Sequence, residues 1–143
     1  MLTAFVLLFT TCTTVSDELT FPVEPSLELL STSDTELTEF TEPLVLQLRY
    51  EDGDGDLGNA DPDVNSIFVR DERLSEPDAY YLAPLAPDGA RISITGELTV
   101  ELNPTFRLGN APTETTTFTL WITDRAGNES NRLTIGSVTI VPQ

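Results

Sequence analysis

Apolar residues fall on alternate positions through much of this chain. Leu44, Leu46, Leu48 and Tyr50 are separated by Val45, Gln47 and Arg49, and Phe118, Leu120 and Ile122 alternate with Thr117, Thr119, Trp121 and Thr123. A period of two puts successive side chains on opposite faces of an extended strand. Residues 26–30, 66–70, 91–103 and 132–141 are further runs dominated by Val, Ile, Leu and Thr, with Gly, Pro, Asn and Asp between the runs. Gly96 predicts that 91–103 is either a bent strand or two short ones. No stretch of ten residues carries an apolar stripe at the helical period of 3.6. About seven strands within about 118 residues predict an all-β domain over residues 26–143, an immunoglobulin-like antiparallel β-sandwich. Alternation sets Trp121 opposite Phe118, Leu120 and Ile122, so it is expected to cap a face or an end of that sandwich.

Ahead of this domain, residues 2–11 form an almost unbroken apolar run that stops at Cys12, the only cysteine. The run is far short of the roughly 20 residues that span a bilayer. It has the length of a secretory apolar region, about 7–15 residues before a cleavage site. Leu7-Leu8-Phe9-Thr10-Thr11-Cys12 resembles the lipobox of bacterial lipoproteins. The resemblance implies that 1–11 are a signal peptide and that Cys12 carries lipid, palmitate included, whose acyl chains hold the protein at a membrane. Thr10 and Thr11 depart from the usual small residues. No Lys or Arg precedes the run, which leads to the expectation of a start further upstream. The competing reading is a buried amino-terminal strand with an incidental Cys.

Residues 12–25 are polar, acidic and proline-bearing, a composition that buries too little apolar surface to offset the entropy of ordering, and they read as a flexible tether. Ser16-Asp17-Glu18 resembles the acidic export signal of Bacteroidota-type surface lipoproteins. That resemblance implies an outer-membrane location facing the cell exterior, with a periplasm-facing location as the alternative.

Charge narrows the partners. The chain has 24 acidic residues against 7 Lys and Arg, no His, and a formal net charge of −17. Nucleic acid is excluded as an expected partner, because neutralising phosphates needs clustered Lys and Arg. A single Cys leaves no internal disulfide and no thiolate metal site. Without His there is no Ser-His-Asp arrangement, and a lipidated Cys12 is no nucleophile, so an enzyme is not expected.

The densest chemistry lies at residues 51–63, where Glu51, Asp52, Asp54, Asp56, Asp61 and Asp63 crowd six carboxylates around Gly53, Gly55 and Gly58. Asp52, Asp54 and Asp56 have the spacing of positions 1, 3 and 5 of a calcium loop. Gly58 then falls at the backbone-carbonyl position 7 and Asp63 at position 12. Glycines let such a chain curl, and a hard divalent cation would relieve the repulsion. The predicted ligand set for Ca²⁺ is Asp52, Asp54, Asp56, Gly58, Asp61 and Asp63. Leu57 stands where an EF-hand has Gly, position 12 is Asp instead of Glu, and strands flank the loop, so the helix–loop–helix fold does not carry over. A solvated acidic turn is the other reading. Asp61-Pro62-Asp63 can instead turn the chain into the 66–70 strand.

Two further stretches carry information. Tyr80, Tyr81 and Leu82 open an aromatic, proline-rich stretch that ends in Asp88-Gly89. It reads either as a ledge for a partner protein or glycan or as an irregular edge strand covering the sandwich. Asp124-Arg125-Ala126-Gly127-Asn128, between two β-rich runs, resembles the last hairpin of bacterial immunoglobulin-like and fibronectin-like surface domains. There Asp124 can accept from backbone amides, and Gly127 and Asn128 tolerate positive φ. With Asp52–Gly58 placed early and Asp124–Asn128 late, the chain resembles small Bacteroidota lipoproteins, a resemblance that implies no activity. The expected function is a calcium-binding surface module for binding or adhesion. The alternative is a non-catalytic accessory subunit of an outer-membrane assembly.

Overall fold

Period-two runs become strands in the computed structural model, which describes residues 21–143. The leader, Cys12 and the tether up to residue 20 lie outside the described residues. The strands are β1 (Ser26–Thr32), β2 (Glu36–Thr38), β3 (Val45–Asp52), β4 (Asn65–Asp71), β5 (Asp78–Tyr81), β6 (Ile94–Glu101), β7 (Glu114–Ile122) and β8 (Leu133–Val141). They form a three-stranded sheet in the order β1-β3-β6 and a five-stranded sheet in the order β2-β8-β7-β4-β5.

Leu46, Leu48 and Tyr50 of β3 and Val100 of β6 pack into one core with Ile67, Val69, Phe118, Leu120, Ile122, Ile135 and Val138 of the other sheet. Each such side chain contributes up to about 1.5–3 kcal/mol on burial, which is why the alternation survives as structure. Trp121 stays on the outer face of its sheet. It is only 8% exposed, because Arg132 lies over its ring at 4.0 Å and Phe68, its cross-strand partner, stacks at 5.7 Å.

One expectation is corrected and one is narrowed. There are eight strands, since the three-residue β2 pairs parallel with β8 and is too short to show a period. Residues 94–101 form one strand despite Gly96. That glycine lies opposite Tyr50, and a Cβ there would come within 2.7 Å of the Tyr50 hydroxyl. It makes room for the ring and does not break the strand.

Asn131 fastens the two sheets at an edge. Its side chain accepts from the Leu27 amide at 2.8 Å and donates to the Leu27 carbonyl at 3.0 Å. Register then defines the two ends. Asp52 pairs with Ile94, and Ile67 pairs with Ile122, so the end of β3, the start of β6, the start of β4 and the end of β7 lie together. At the opposite end are the start of β3, the end of β4 at Asp71 and the start of β7.

Candidate metal centre

The acidic loop begins while β3 is still paired, and this fixes its first carboxylate inside the protein. Asp52 is fully buried. Its Oδ2 accepts the Leu57 amide at 3.2 Å, closing the loop back on itself. Leu57 is also fully buried and belongs to the core. Between them Gly55 takes φ +75°, which aims Asp54 and Asp56 at the same point. One carboxylate oxygen from each of Asp52, Asp54 and Asp56 lies within 4.8 Å of the others.

That spacing fits a single ion. Oxygens bound to one Ca²⁺ at 2.3–2.6 Å can be no more than about 5 Å apart. The bonding pattern fits as well. Oδ1 of Asp52, Asp54 and Asp56 is in each case buried without a hydrogen-bond partner, a costly condition for a charged oxygen. Among the described residues none of the three makes an ion pair.

A fourth carboxylate closes the electrostatic box. Asp124, buried in the turn after β7, accepts the Asn128 amide at 2.7 Å and the Asn128 side chain at 2.8 Å. Its oxygens are engaged in the turn, as the sequence suggested, yet its charge reaches the acidic loop. Burial, followed by the Asp124 and Asp54 carboxylates, pushes Asp56 up to about 6. Burial raises Asp52 also, with Asp54 and Asp124 adding to the effect against the bond from Leu57. The cluster therefore stores repulsion in the absence of a cation.

The early loop and the late turn are bonded together directly. The Ala126 amide donates to Asp56 Oδ2 at 3.0 Å and the Arg125 amide to the Asp56 carbonyl at 3.2 Å. Nothing in the separate motifs announced this pairing; β3 and β7 sit in different sheets and finish at the same end of the sandwich, which brings the loop and the turn together.

The second half of the predicted ligand set lies elsewhere. The Gly58 carbonyl accepts the Arg125 guanidinium at 3.1 Å. Asp61 and Asp63 are exposed and outside the three-carboxylate group. The physical reason is Leu57. Once it is in the core, the Asn59 amide bonds the Leu82 carbonyl at 2.8 Å and the Leu85 amide bonds the Leu57 carbonyl at 3.1 Å. These bonds lead the chain away from the cluster. Asp61 then accepts the Asp63 amide at 3.0 Å, making the turn into β4.

Tyr80, Tyr81 and Leu82 separate in the same way. Tyr80 of edge strand β5 and Leu82, just past its end, pack against the core, while Tyr81 remains 41% exposed. The Tyr80 hydroxyl accepts the Asn103 amide at 3.1 Å, and burial raises its pKa. No protein-family model matches the chain, and no curated protein matches it in sequence.

Proposed function

We propose that this protein is a non-catalytic, lipid-anchored surface lipoprotein whose immunoglobulin-like module binds Ca²⁺ through Asp52, Asp54 and Asp56 and acts in binding or adhesion. The observation that carries the reading is the convergence of three buried, partnerless carboxylate oxygens within 4.8 Å. An all-oxygen donor set without His or thiolate suits a hard cation. Ca²⁺ suits it better than Mg²⁺, since three carboxylates on a glycine-bearing loop tolerate irregular geometry and leave positions for water.

The immunoglobulin-like reading is supported by the path of the first strands. β1 joins β3 in one sheet, and β2 then crosses to pair parallel with β8 in the other. Anchorage through acyl chains on Cys12 rests on the lipobox resemblance. The segment leading into β1 supports a definite orientation. The carbonyls of Phe21 and Pro22 press so closely on Gly53 that a Cβ there would meet both at 2.3 Å. In this reading the anchor lies on the carboxylate side of the domain and the far end is the one presented to partners.

The test is thermal unfolding in chelator and in millimolar Ca²⁺. Extracellular modules bind Ca²⁺ with Kd of about 10⁻⁴–10⁻³ M. At Kd near 0.1 mM, about 2 mM Ca²⁺ would stabilise the fold by roughly 1.8 kcal/mol. The expected result is a midpoint several degrees higher in Ca²⁺, little change in Mg²⁺, and no gain in the double variant Asp54→Asn, Asp56→Asn. Identical midpoints for the unaltered protein in chelator and Ca²⁺ would return the loop to a plain acidic turn. Metabolic labelling with a palmitate analogue, with and without Cys12→Ser, tests the anchor separately.

A further inference from the structure

At the end of the sandwich away from the carboxylates, the two sheets part around a cavity of about 230 Å³. Its floor is apolar, with Val69 of β4 and Phe118 of β7 on one side and Leu102, just past the end of β6, on the other. Its rim carries Leu74, Phe106 and Leu108, all exposed. Phe106 is held in place by Phe40, which stacks on it at 5.5 Å. Phe40 is 62% exposed and keeps φ +57°, a conformation uncommon for a bulky residue and costly to hold. The Phe40 amide donates to the Thr105 carbonyl at 3.0 Å, fixing it there. Exposed apolar side chains gathered beside a cavity mark an interaction surface.

Charge selects the occupant. Arg73, among the described residues the one cation lining the cavity, is consumed by Asp71 at 2.6 Å, Glu114 at 2.9 Å and the Thr105 hydroxyl at 3.0 Å. The Asp78 carboxylate at the rim makes no hydrogen bond or ion pair among the described residues, and neither does the Asn103 side-chain amide. Among the described residues the cavity therefore offers an apolar floor, one free carboxylate and no free cation, on a chain of net charge −17.

We infer that this cavity receives a lysine or arginine side chain of a partner protein. The methylene stem lies on Val69, Leu102 and Phe118, and the cationic head sits at the Asp78 carboxylate and the Asn103 carbonyl oxygen. Long basic side chains bury their stems against apolar surface in this manner while the charge stays near water. Leu74, Phe106 and Leu108 meet apolar neighbours of the basic residue. The overall negative charge steers such a partner inward. The surface needs no cation at the other end of the domain.

The test uses the full chain in detergent micelles and a fluorescein-labelled peptide alternating Lys and Leu, followed by fluorescence polarisation. A second probe replaces Lys with 2,4-diaminobutyrate, keeping the charge but shortening the stem, and a third replaces Lys with norleucine, keeping the stem without the charge. The Lys probe is expected to bind most tightly, and Asp78→Asn to weaken it roughly two- to fivefold. Asp88→Asn, an exposed carboxylate of the turn after β5, should leave binding unchanged. The diaminobutyrate probe should bind roughly tenfold more weakly, from the buried methylenes it lacks. Equal binding of the Lys and diaminobutyrate probes would reduce the interaction to general charge attraction. Equal binding to Asp78→Asn and the unaltered protein, or tighter binding of the norleucine probe, would likewise overturn the assignment.

Discussion

Arg125 donates from its guanidinium to the carbonyl of Gly58 at 3.1 Å, across 67 residues of sequence. A second, longer bond at 3.5 Å reaches the carbonyl of Gly55. Arg125 thus spends these donors on backbone and, among the described residues, forms no ion pair with a carboxylate. It braces the loop that holds the charges without neutralising them.

That brace depends on glycine at position 58. Gly58 has φ +80°, and a Cβ there would meet the Ala83 carbonyl oxygen at 2.2 Å. Gly127 in the late turn has φ +91° but open space around it. Gly127→Ala should cost about 1–2 kcal/mol, the left-handed penalty alone. Gly58→Ala should cost clearly more, because backbone must also move. Denaturant unfolding of both variants checks this, and equal losses would mean that the approach to Ala83 carries no cost.

The two ends of the sandwich should answer acid with opposite signs when metal is absent. Asp52 and Asp56 are raised in the folded state, Asp56 from 3.8 to about 6. The contribution of Asp56 favours folding below pH 3.8 and fades as pH rises through about 6, and that of Asp52 has the same sign. Asp71 is lowered: burial alone would raise it, but the bonds from Arg73 and Thr116 outweigh that. Its contribution is present above 3.8 and is lost as pH falls below it. Between pH 7 and 5 in chelator, protection of the Asn59 and Leu85 amides that pin the loop should therefore rise. The Leu74 amide, bonded to the Asp71 carbonyl at 2.8 Å, should hold constant until about pH 4. Hydrogen exchange read as protection factors separates the two. Parallel behaviour at both ends would contradict the charge assignments.

On the outer face, Trp121 offers a built-in reporter. Arg132→Ala removes the guanidinium 4.0 Å above its ring. The expected loss is about 0.5–1 kcal/mol, with the emission maximum moving to longer wavelength as water reaches the indole. An unchanged emission maximum would mean that Phe68 alone shields it.

The strands were readable in the sequence because one face of each is buried. Leu46, Leu48, Leu120 and Ile122 had to be apolar for the sheets to meet, and a period of two follows from that alone. The three converging aspartates were readable because a glycine-bearing loop that curls past the end of β3 turns alternate carboxylates toward one point. Asp61 and Asp63 were misplaced because the spacing assumed a chain that keeps curling. It ignored the larger gain from burying Leu57, whose single side chain redirects the remaining half of the loop. Asp124 could be read as a turn residue but not as a neighbour of Asp56, since that depends on long-range register. The far cavity left no motif at all. Its floor residues look like ordinary core, and Asp78 looks like any acidic residue of an acidic chain.

Asp52 and Leu57, joined by one hydrogen bond, should respond to substitution in opposite directions. Leu57 is fully buried, so Leu57→Ala should cost about 2–5 kcal/mol in either chelator or Ca²⁺. Asp52→Asn keeps an oxygen to accept the Leu57 amide at the 3.2 Å position. It also removes the charge that Asp54 and Asp124 oppose. The new amide hydrogens face Asp54 and Asp56, whose Oδ1 atoms are partnerless, and can satisfy them. In chelator Asp52→Asn should therefore raise stability by about 1 kcal/mol, which corresponds to roughly 4 °C in midpoint for a domain of this size. In Ca²⁺ it should gain little further, because a neutral amide replaces a charged ligand. The measurement is a pair of thermal scans for each variant, in chelator and in millimolar Ca²⁺. If Asp52→Asn melts below the unaltered protein in chelator, the buried carboxylate is stabilising on its own and the cluster is not waiting for a cation.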